Sequence, residues 1–318
     1  MLNPLNIEYL YLSKLFDNSL IVFNKRQLFR FFVRFFFMTA ALPNDSKPKL
    51  TPAWTVIFFF TSIHLVALLA FLPQFFSWKA VGVAFLLYVI TGGIGITLGF
   101  HRCISHRSFN VPKWLEYIFV ICGTLACQGG VFEWVGLHRM HHKFSDTTPD
   151  PHDSNKGFWW SHIGWMMFEI PAKADIPRYT KDIQDDKFYQ FCQNNLILIQ
   201  VALGLILFAL GGWPFVIWGI FVRLVFVFHF TWFVNSATHK FGYVSHESND
   251  YSRNCWWVAL LTFGEGWHNN HHAYQYSARH GLQWWEVDLT WMTIKFLSLL
   301  GLAKDIKLPP ETAMANKA

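Results

Sequence analysis

Three histidines in the stretch Leu137-His138-Arg139-Met140-His141-His142-Lys143-Phe144 stand at i, i+3 and i+4, which puts them on one face of a helix. The same spacing recurs downstream as His268-Asn269-Asn270-His271-His272. Imidazole is the commonest metal ligand, and its nitrogens suit iron, zinc and copper. A third pair, His101 and His106, and the single His239 complete a set of candidate ligands, with Asn235 one helical turn before His239. Two metal ions with four or five ligands each would use the whole set. One triplet can serve both ions, because His141 and His142 leave the helix in different directions. In a chain of 15 histidines one triplet is weak; two copies, each following a strongly apolar region, read as a metal signature.

Neutral imidazoles set the chemistry. Soluble di-iron bundles use Glu and Glu-x-x-His ligands, and no such pair stands out. An all-nitrogen set lacks bridging anions and suits a separated pair of metals. Iron with an open position is the setting for oxygen activation, while zinc is the rival by affinity and geometry. The lone His64 and His229 read as core histidines. For His152, His162, His246 and His280 the functional alternative is contact with a ligand or with substrate.

The elements that must position these residues are membrane helices. Of 318 residues 53% are hydrophobic, 19% aromatic and 14% charged, against roughly 25% charged in a soluble domain. Four apolar stretches, about 54–72, 80–100, 195–210 and 214–234, approach the roughly 20 residues a span needs. Glycines 92, 93, 95 and 99 in the second permit close packing. The stretch 114–128 is apolar but interrupted by Glu116 and reads as a re-entrant or interfacial helix; 289–302 reads as amphipathic, lying on the membrane. The links 73–79 and 211–213 are short and share one side. Regions 1–53, 101–194 and 235–318 then share the other, and by count they hold seven, ten and seven Lys plus Arg against one in the links. The positive-inside rule places those regions, both termini and every histidine group in the cytoplasm. The expected fold is therefore an all-α membrane protein, four transmembrane helices under a cytosolic helical cap that holds the histidine-rich di-metal site.

Residues 1–50 read as an N-terminal extension, with a basic and aromatic run at 24–37 that could lie at an interface, or with translation starting at Met38. The main domain is 51–310 and the tail 311–318. The net charge of +6 is dispersed, which argues against nucleic acid. Cys103, Cys122, Cys127, Cys192 and Cys255 form no CxxC pair and read as buried thiols in a reducing compartment.

The run from Gly99 to Arg107, the run from His138 to Asp146 and the run from His268 to His272, in that order, resemble the membrane fatty-acid desaturases, specifically the Δ9 stearoyl-type branch. Glu133-Trp134, Asp150-Pro151-His152 and the run from Asn235 to His239 match as well. The runs 264–274 and 276–280 are similar to bacterial, cyanobacterial and plastid members. The resemblance covers about residues 50–310. It implies a four-span fold with a cytosolic cap. It implies two irons held by His101, His106, His138, His141, His142, His239, His268, His271 and His272, with Asn235 holding a water. It also implies a kinked acyl tunnel that places carbons 9 and 10 beside the metals, with Gln128, Trp134, Thr231 and Trp232 at the bend. Catalysis would need no protein nucleophile or general base: O2 and two electrons remove two hydrogens from adjacent methylenes, leaving a cis double bond.

This chain departs from the animal acyl-CoA members at Gly129, Gly136, Leu137, Glu169 and Ile170, where those proteins hold the CoA headgroup with polar and basic residues. A polyanionic CoA would meet a carboxylate and apolar groups there. The expectation is therefore an acyl chain on a membrane glycerolipid, with acyl-CoA the alternative if Arg139, Lys143, Lys156 or Lys173 grip it. A hydroxylase of the same histidine-box superfamily would share the metal site. A zinc-holding transport protein would need ionisable residues inside its spans, where His64, Arg223 and His229 are the evident ones. With no fused cytochrome-like segment, cluster-binding cysteine pattern or dinucleotide glycine motif, electrons must come from a separate carrier such as ferredoxin. Its docking face would be basic, with Lys143, Lys156, Lys173 and Arg178 as candidates.

Overall fold

The computed structural model describes residues 50–169 and 171–314. The readings of the first 49 residues, of Ile170 and of the last four residues lie outside them. Every regular element among the described residues is helical, and extended contacts are isolated bridges such as Asn110 with Lys304.

Helix α1 is Trp54–Ala67 and tightens into a 3-10 turn, Leu68–Phe71. Helix α2, Trp78–Tyr88, continues as a π-helix over Val89–Ser105. The second apolar unit therefore runs Trp78–Ser105, longer than the 80–100 expected, and carries His101 inside the helix rather than beyond its end. An apolar run without clear periodicity hides that extension, because hydropathy does not distinguish α from π winding.

Helix α3, Lys113–Thr124, lies against this π-helix. A Cβ on Gly95 would stand 2.4 Å from the Cys122 carbonyl carbon, so only glycine lets the two backbones touch here. Helix α4 is Val131–Phe144, and a short α5, Phe158–His162, follows. Helix α6, Leu196–Val216, leads through the π-turns Ile217–Val222 into α7, Arg223–Ser236. Helical backbone is interrupted at Gly211 and Gly212, the latter at φ 64°, where the sequence reads Gly211-Gly212-Trp213-Pro214. A Cβ on Gly219 would meet Leu207 Cδ1 at 2.8 Å. Twelve residues of straight helix would hold those two about 18 Å apart, so the chain reverses at the glycines. Helix α8 is His268–Ala273 and α9 is Leu289–Leu299.

Three helical stretches among the described residues are long and apolar enough to cross a membrane: Trp54–Phe71, Trp78–Ser105 and Leu196–Ser236. Their outward side chains match that environment: Phe58 is 75% exposed, Phe71 85% and Leu210 71%. In water such a surface would drive aggregation. Two of the hydrophobic clusters among the described residues are large. One packs Phe60, Ile63, Leu207, Phe228 and Trp232 between α1, α6 and α7; the other gathers Phe100, Phe119, Val131, Tyr189 and Ile294 beneath the histidines.

Candidate metal centre

Each histidine is positioned by a local backbone feature. In the π-helix the bond from the His106 N–H to the His101 carbonyl, at 3.1 Å, closes an i to i+5 turn. That turn stacks residues five apart, and the two imidazole centroids are 4.8 Å apart. Helix α4 carries His138, His141 and His142; α8 carries His268, His271 and His272; His239 sits in the turn after α7. The structure sorts these side chains into two groups. His101, His106, His138, His142 and His271 form one; His141, His239, His268 and His272 form the other; within each, one donor atom per residue lies within 4.8 Å of all the rest. The adjacent His141 and His142 thus enter different groups.

The nitrogens that converge are Nε2 atoms. In the first group His106 and His138 face each other at 2.7 Å, His142 and His271 at 2.9 Å, and His101 and His271 at 3.1 Å. Behind the second group stands a row of aspartates. The Nδ1–H of His141 donates to Asp150 at 2.9 Å, that of His239 to Asp146 at 2.9 Å, and that of His272 to Asp250 at 2.6 Å. A neutral ring that gives its Nδ1 proton to a carboxylate has a lone pair on Nε2. His141 and His272 each give Nδ1–H to a carboxylate, yet their Nε2 atoms lie 3.3 Å apart in a buried site. Those two nitrogens need a shared positive charge, which a proton on His141 or a metal cation beside both supplies. The donor set therefore fits a metal, with carboxylates orienting the ligands as metal-bound histidines require.

The first group is built differently. Glu265 Oε2 lies 2.8 Å from His101 Nδ1 and 3.0 Å from His280 Nδ1, while Oε1 bonds the buried Arg102. The Nδ1 atoms of His142 and His271 are buried without a hydrogen-bond partner. These carboxylates are the functional residues that sequence reading passed over. Asp146, Asp150 and Glu265 lay inside the matched runs without a role read for them, and Asp250 lay outside every run. His152 stacks on His141 at 4.2 Å between centroids, and His280 on His271 at 4.3 Å, so both touch ligand candidates. His246 lies edge-on to Tyr274, away from both groups.

Burial and the surrounding imidazoles hold His106, His138, His142, His268 and His271 well below the ordinary histidine range. His272 and His280 are pushed down to about 4, chiefly by burial. His141 goes the other way: burial lowers it, but Asp150, Asp146 and Asp250 raise it further. Burial would raise Asp146 and Asp250, but the bonds from His239 and His272 outweigh it and hold both carboxyls low. For the lowered histidines the unfolded chain binds protons first as pH falls. Their contribution to stability is present above the unfolded pKa of about 6.5 and declines below it, by up to about 1.4 kcal/mol per pH unit per group. Metal-free protein in detergent is therefore expected to lose melting temperature between pH 6.5 and 4, and metal-loaded protein to melt higher at every pH in that range. Equal curves for both forms would contradict the assignment. Asp250→Asn keeps the hydrogen-bond geometry of His272 but removes the charge, and should weaken metal retention by about 10–100-fold with the fold intact. A chelator competition at neutral pH reads this directly.

A cavity of about 240 Å³ opens between α1, α4 and α7. Gln128, Trp134, Thr231 and Trp232 all line it, and His138 and Asn235 stand at its inner end. Gln128 sits in the α3–α4 turn between Cys127 and Gly129, at φ 53° and 92°, and is held on three sides. Its Nε2 donates to Thr231 Oγ1 at 2.8 Å and to the Val227 carbonyl at 3.3 Å, and its Oε1 accepts from the Trp134 indole at 3.2 Å. A second, smaller space shares Trp134, His138, Thr231 and Asn235 and reaches His101, His141 and His268. This second space touches both histidine groups and shares four lining residues with the cavity.

The positions examined for an anionic headgroup are also placed. Gly129 faces Glu133, whose carboxylate pairs with Lys173 at 2.8 Å, and Gly136 packs on Ile176. The Arg139 guanidinium is engaged by Asp182 and by the Ile104, Ser105 and Tyr179 carbonyls. Lys143 lies over Phe144 and Tyr179, and Lys156 over Trp160.

Fold and site define a helical protein with membrane-length apolar helices and a buried double histidine cluster at the end of an apolar cavity. Comparison with known proteins places it more closely. The sequence matches the fatty acid desaturase family over residues 76–295, and the chain belongs to that family. It is 65% identical over 267 residues, 84% of this chain and 97% of the relative, to an sn-1 stearoyl-lipid 9-desaturase of Anabaena variabilis. It is 52% identical to a chloroplastic palmitoyl-monogalactosyldiacylglycerol delta-7 desaturase of Arabidopsis thaliana, over 81% of this chain and 69% of that one. An sn-2 palmitoyl-lipid 9-desaturase of Nostoc sp. (strain 36) is 48% identical over 87% and 98%.

Proposed function

We propose that this protein inserts a cis double bond at the Δ9 position of long saturated acyl chains carried on membrane glycerolipid. The observation that carries this reading is the cavity's shared wall, Trp134, His138, Thr231 and Asn235, with the smaller space that touches both histidine groups. An unactivated methylene offers no hydrogen bond, so position along the chain must come from the length and bend of the cavity. The 9-desaturase relatives named for stearoyl-lipid and palmitoyl-lipid agree with the position and the carrier. The engagement of Arg139 and the Glu133–Lys173 pair also favour lipid over CoA, since neither leaves a free cationic clamp for a polyphosphate.

Five and four imidazole donors, backed by Glu265 and the aspartates, would hold two irons, which supply the redox capacity for O2. The balance is –CH2–CH2– plus O2, two electrons and two protons, giving –CH=CH– and two waters. The chain's own residues bind the acyl group, exclude water from it and orient the ligands. Electrons would arrive from a separate carrier at the cytoplasmic face, with Lys143, Lys156, Lys173 and Arg178 as docking candidates. The reversal at Gly211–Gly212 supports four spans, and residues 51–310 form the catalytic domain, with the histidine cap and both termini cytoplasmic.

Expression in a host whose lipids are saturated, followed by lipid-class analysis of new double bonds, tests the reaction. Early label in free or CoA-bound oleate would sink the lipid reading, and products gaining an oxygen would replace desaturation by hydroxylation. Trp232→Ala enlarges the cavity at its bend and is expected to yield double bonds away from Δ9. A variant that makes the Δ9 product alone would contradict the assigned bend.

A further inference from the structure

Three histidines outside the two clusters stand in one hydrogen-bonded line. His64 Nδ1 donates to the Phe60 carbonyl at 2.7 Å. His64 Nε2 lies 3.0 Å from His229 Nε2, His229 Nδ1 lies 3.0 Å from His162 Nε2, and His162 Nδ1 lies 2.9 Å from Ser236 Oγ. Ser236 Oγ is in turn 2.9 Å from the Trp232 carbonyl. A carbonyl only accepts, so the proton of His64 sits on Nδ1. With one proton per ring, His229 then donates to His64, His162 to His229, and Ser236 to His162, and the single Ser236 hydroxyl proton is shared between His162 and the Trp232 carbonyl. Burial and the neighbouring His229 push the His162 imidazole down to about 3, consistent with one proton on that ring. The line ends on an acceptor that cannot pass a proton on, so it is no proton wire.

Its two ends matter more. It starts on the backbone of Phe60 in α1, crosses His162 in α5 and finishes beside the backbone of Trp232 in α7. Both aromatic rings line the apolar cavity and meet edge to face at 5.1 Å. Trp232 also packs on His229 at 5.1 Å and on His162 at 5.7 Å, and is 3% exposed. Apolar packing alone would let α1 and α7 slide, whereas a directional line of polar groups inside an apolar bundle has one satisfied register.

We infer that His64, His229 and His162 are positioning residues for regiochemistry. They fix the Phe60–Trp232 wall, and with it which pair of methylenes rests beside the histidine groups. This inference rests on the reading of the cavity as the acyl site.

The test compares wild type, His229→Leu, His64→Leu and His229→Gln, each loaded with iron and assayed on saturated acyl lipid. Double-bond position is read by mass spectrometry of derivatised products, alongside iron content. One methylene in an apolar pocket is discriminated by about 10-fold or more, so the ratio of Δ9 to adjacent-position products should fall by about that factor in both leucine variants, with iron retained. The glutamine side chain can donate and accept, and should restore the ratio. Wild-type ratios in both leucine variants would overturn the inference. If His229→Leu does not accumulate, His64→Leu carries the same criterion from the half-buried end of the line. Absence of any double bond with wild-type enzyme would instead sink the acyl reading beneath it.

Discussion

Alanine in place of His272 is expected to abolish double-bond formation and to lower bound metal from two ions per chain toward one. His272 belongs to the smaller group, where each imidazole is one of four donors. Its loss leaves three imidazole nitrogens in that group. Asp250 would also lose the ring it orients, at 2.6 Å, and keep its negative charge. The two groups should differ in how firmly they hold metal. Three of four imidazoles in the smaller group are backed by aspartates, which raises ligand basicity. In the larger group Glu265 is shared with Arg102, and His142 and His271 have no partner on Nδ1. A timed chelator challenge of the wild-type enzyme should therefore release the ion of the five-histidine group first. Metal analysis across the time course, paired with residual turnover, measures this. Full metal content and turnover in His272→Ala would remove His272 from the ligand set.

The histidine groups were legible before the fold because short helical spacing is written in the chain: His138, His141 and His142 share a face by arithmetic alone. What orients them was not. Asp146 meets His239 across 93 residues, and Asp250 meets His272 across 22, so no local pattern joins them. His64 and His229 illustrate the same limit. Each is a lone histidine in an apolar run, for which core packing is the reasonable reading, and only the approach of α1 to α7 reveals their pairing 165 residues apart. The three membrane-length apolar stretches were legible from hydropathy and the reversal from Gly211-Gly212-Trp213-Pro214. The π winding of Val89–Ser105 was not, and with it the reason that His101 and His106, five residues apart, face the same way.

Arg102→Met is expected to cost about 3–5 kcal/mol of stability, because removing one partner of a buried ionic network leaves the others uncompensated. The guanidinium is fully buried: NH1 donates to Asp288 at 2.9 Å and to the Ala278 carbonyl at 2.8 Å, and Nε donates to Glu265 at 3.0 Å. The two carboxylates do not depend on it equally. Asp288 keeps the His280 and Trp291 amides, at 2.8 and 2.9 Å, so α9 stays capped. Glu265 is left with His101 and His280, and without the guanidinium its carboxylate no longer fixes the His101 ring. A His101 ring turned from its place cannot present Nε2 to a metal. The variant should therefore lose metal from the five-histidine group as well as melting temperature. The double variant Arg102→Met with Glu265→Gln separates the two effects. With both charges gone, much of the stability should return, while His101 still lacks the carboxylate that orients it and metal affinity stays low. Recovery of both together would mean that Glu265 serves the fold alone.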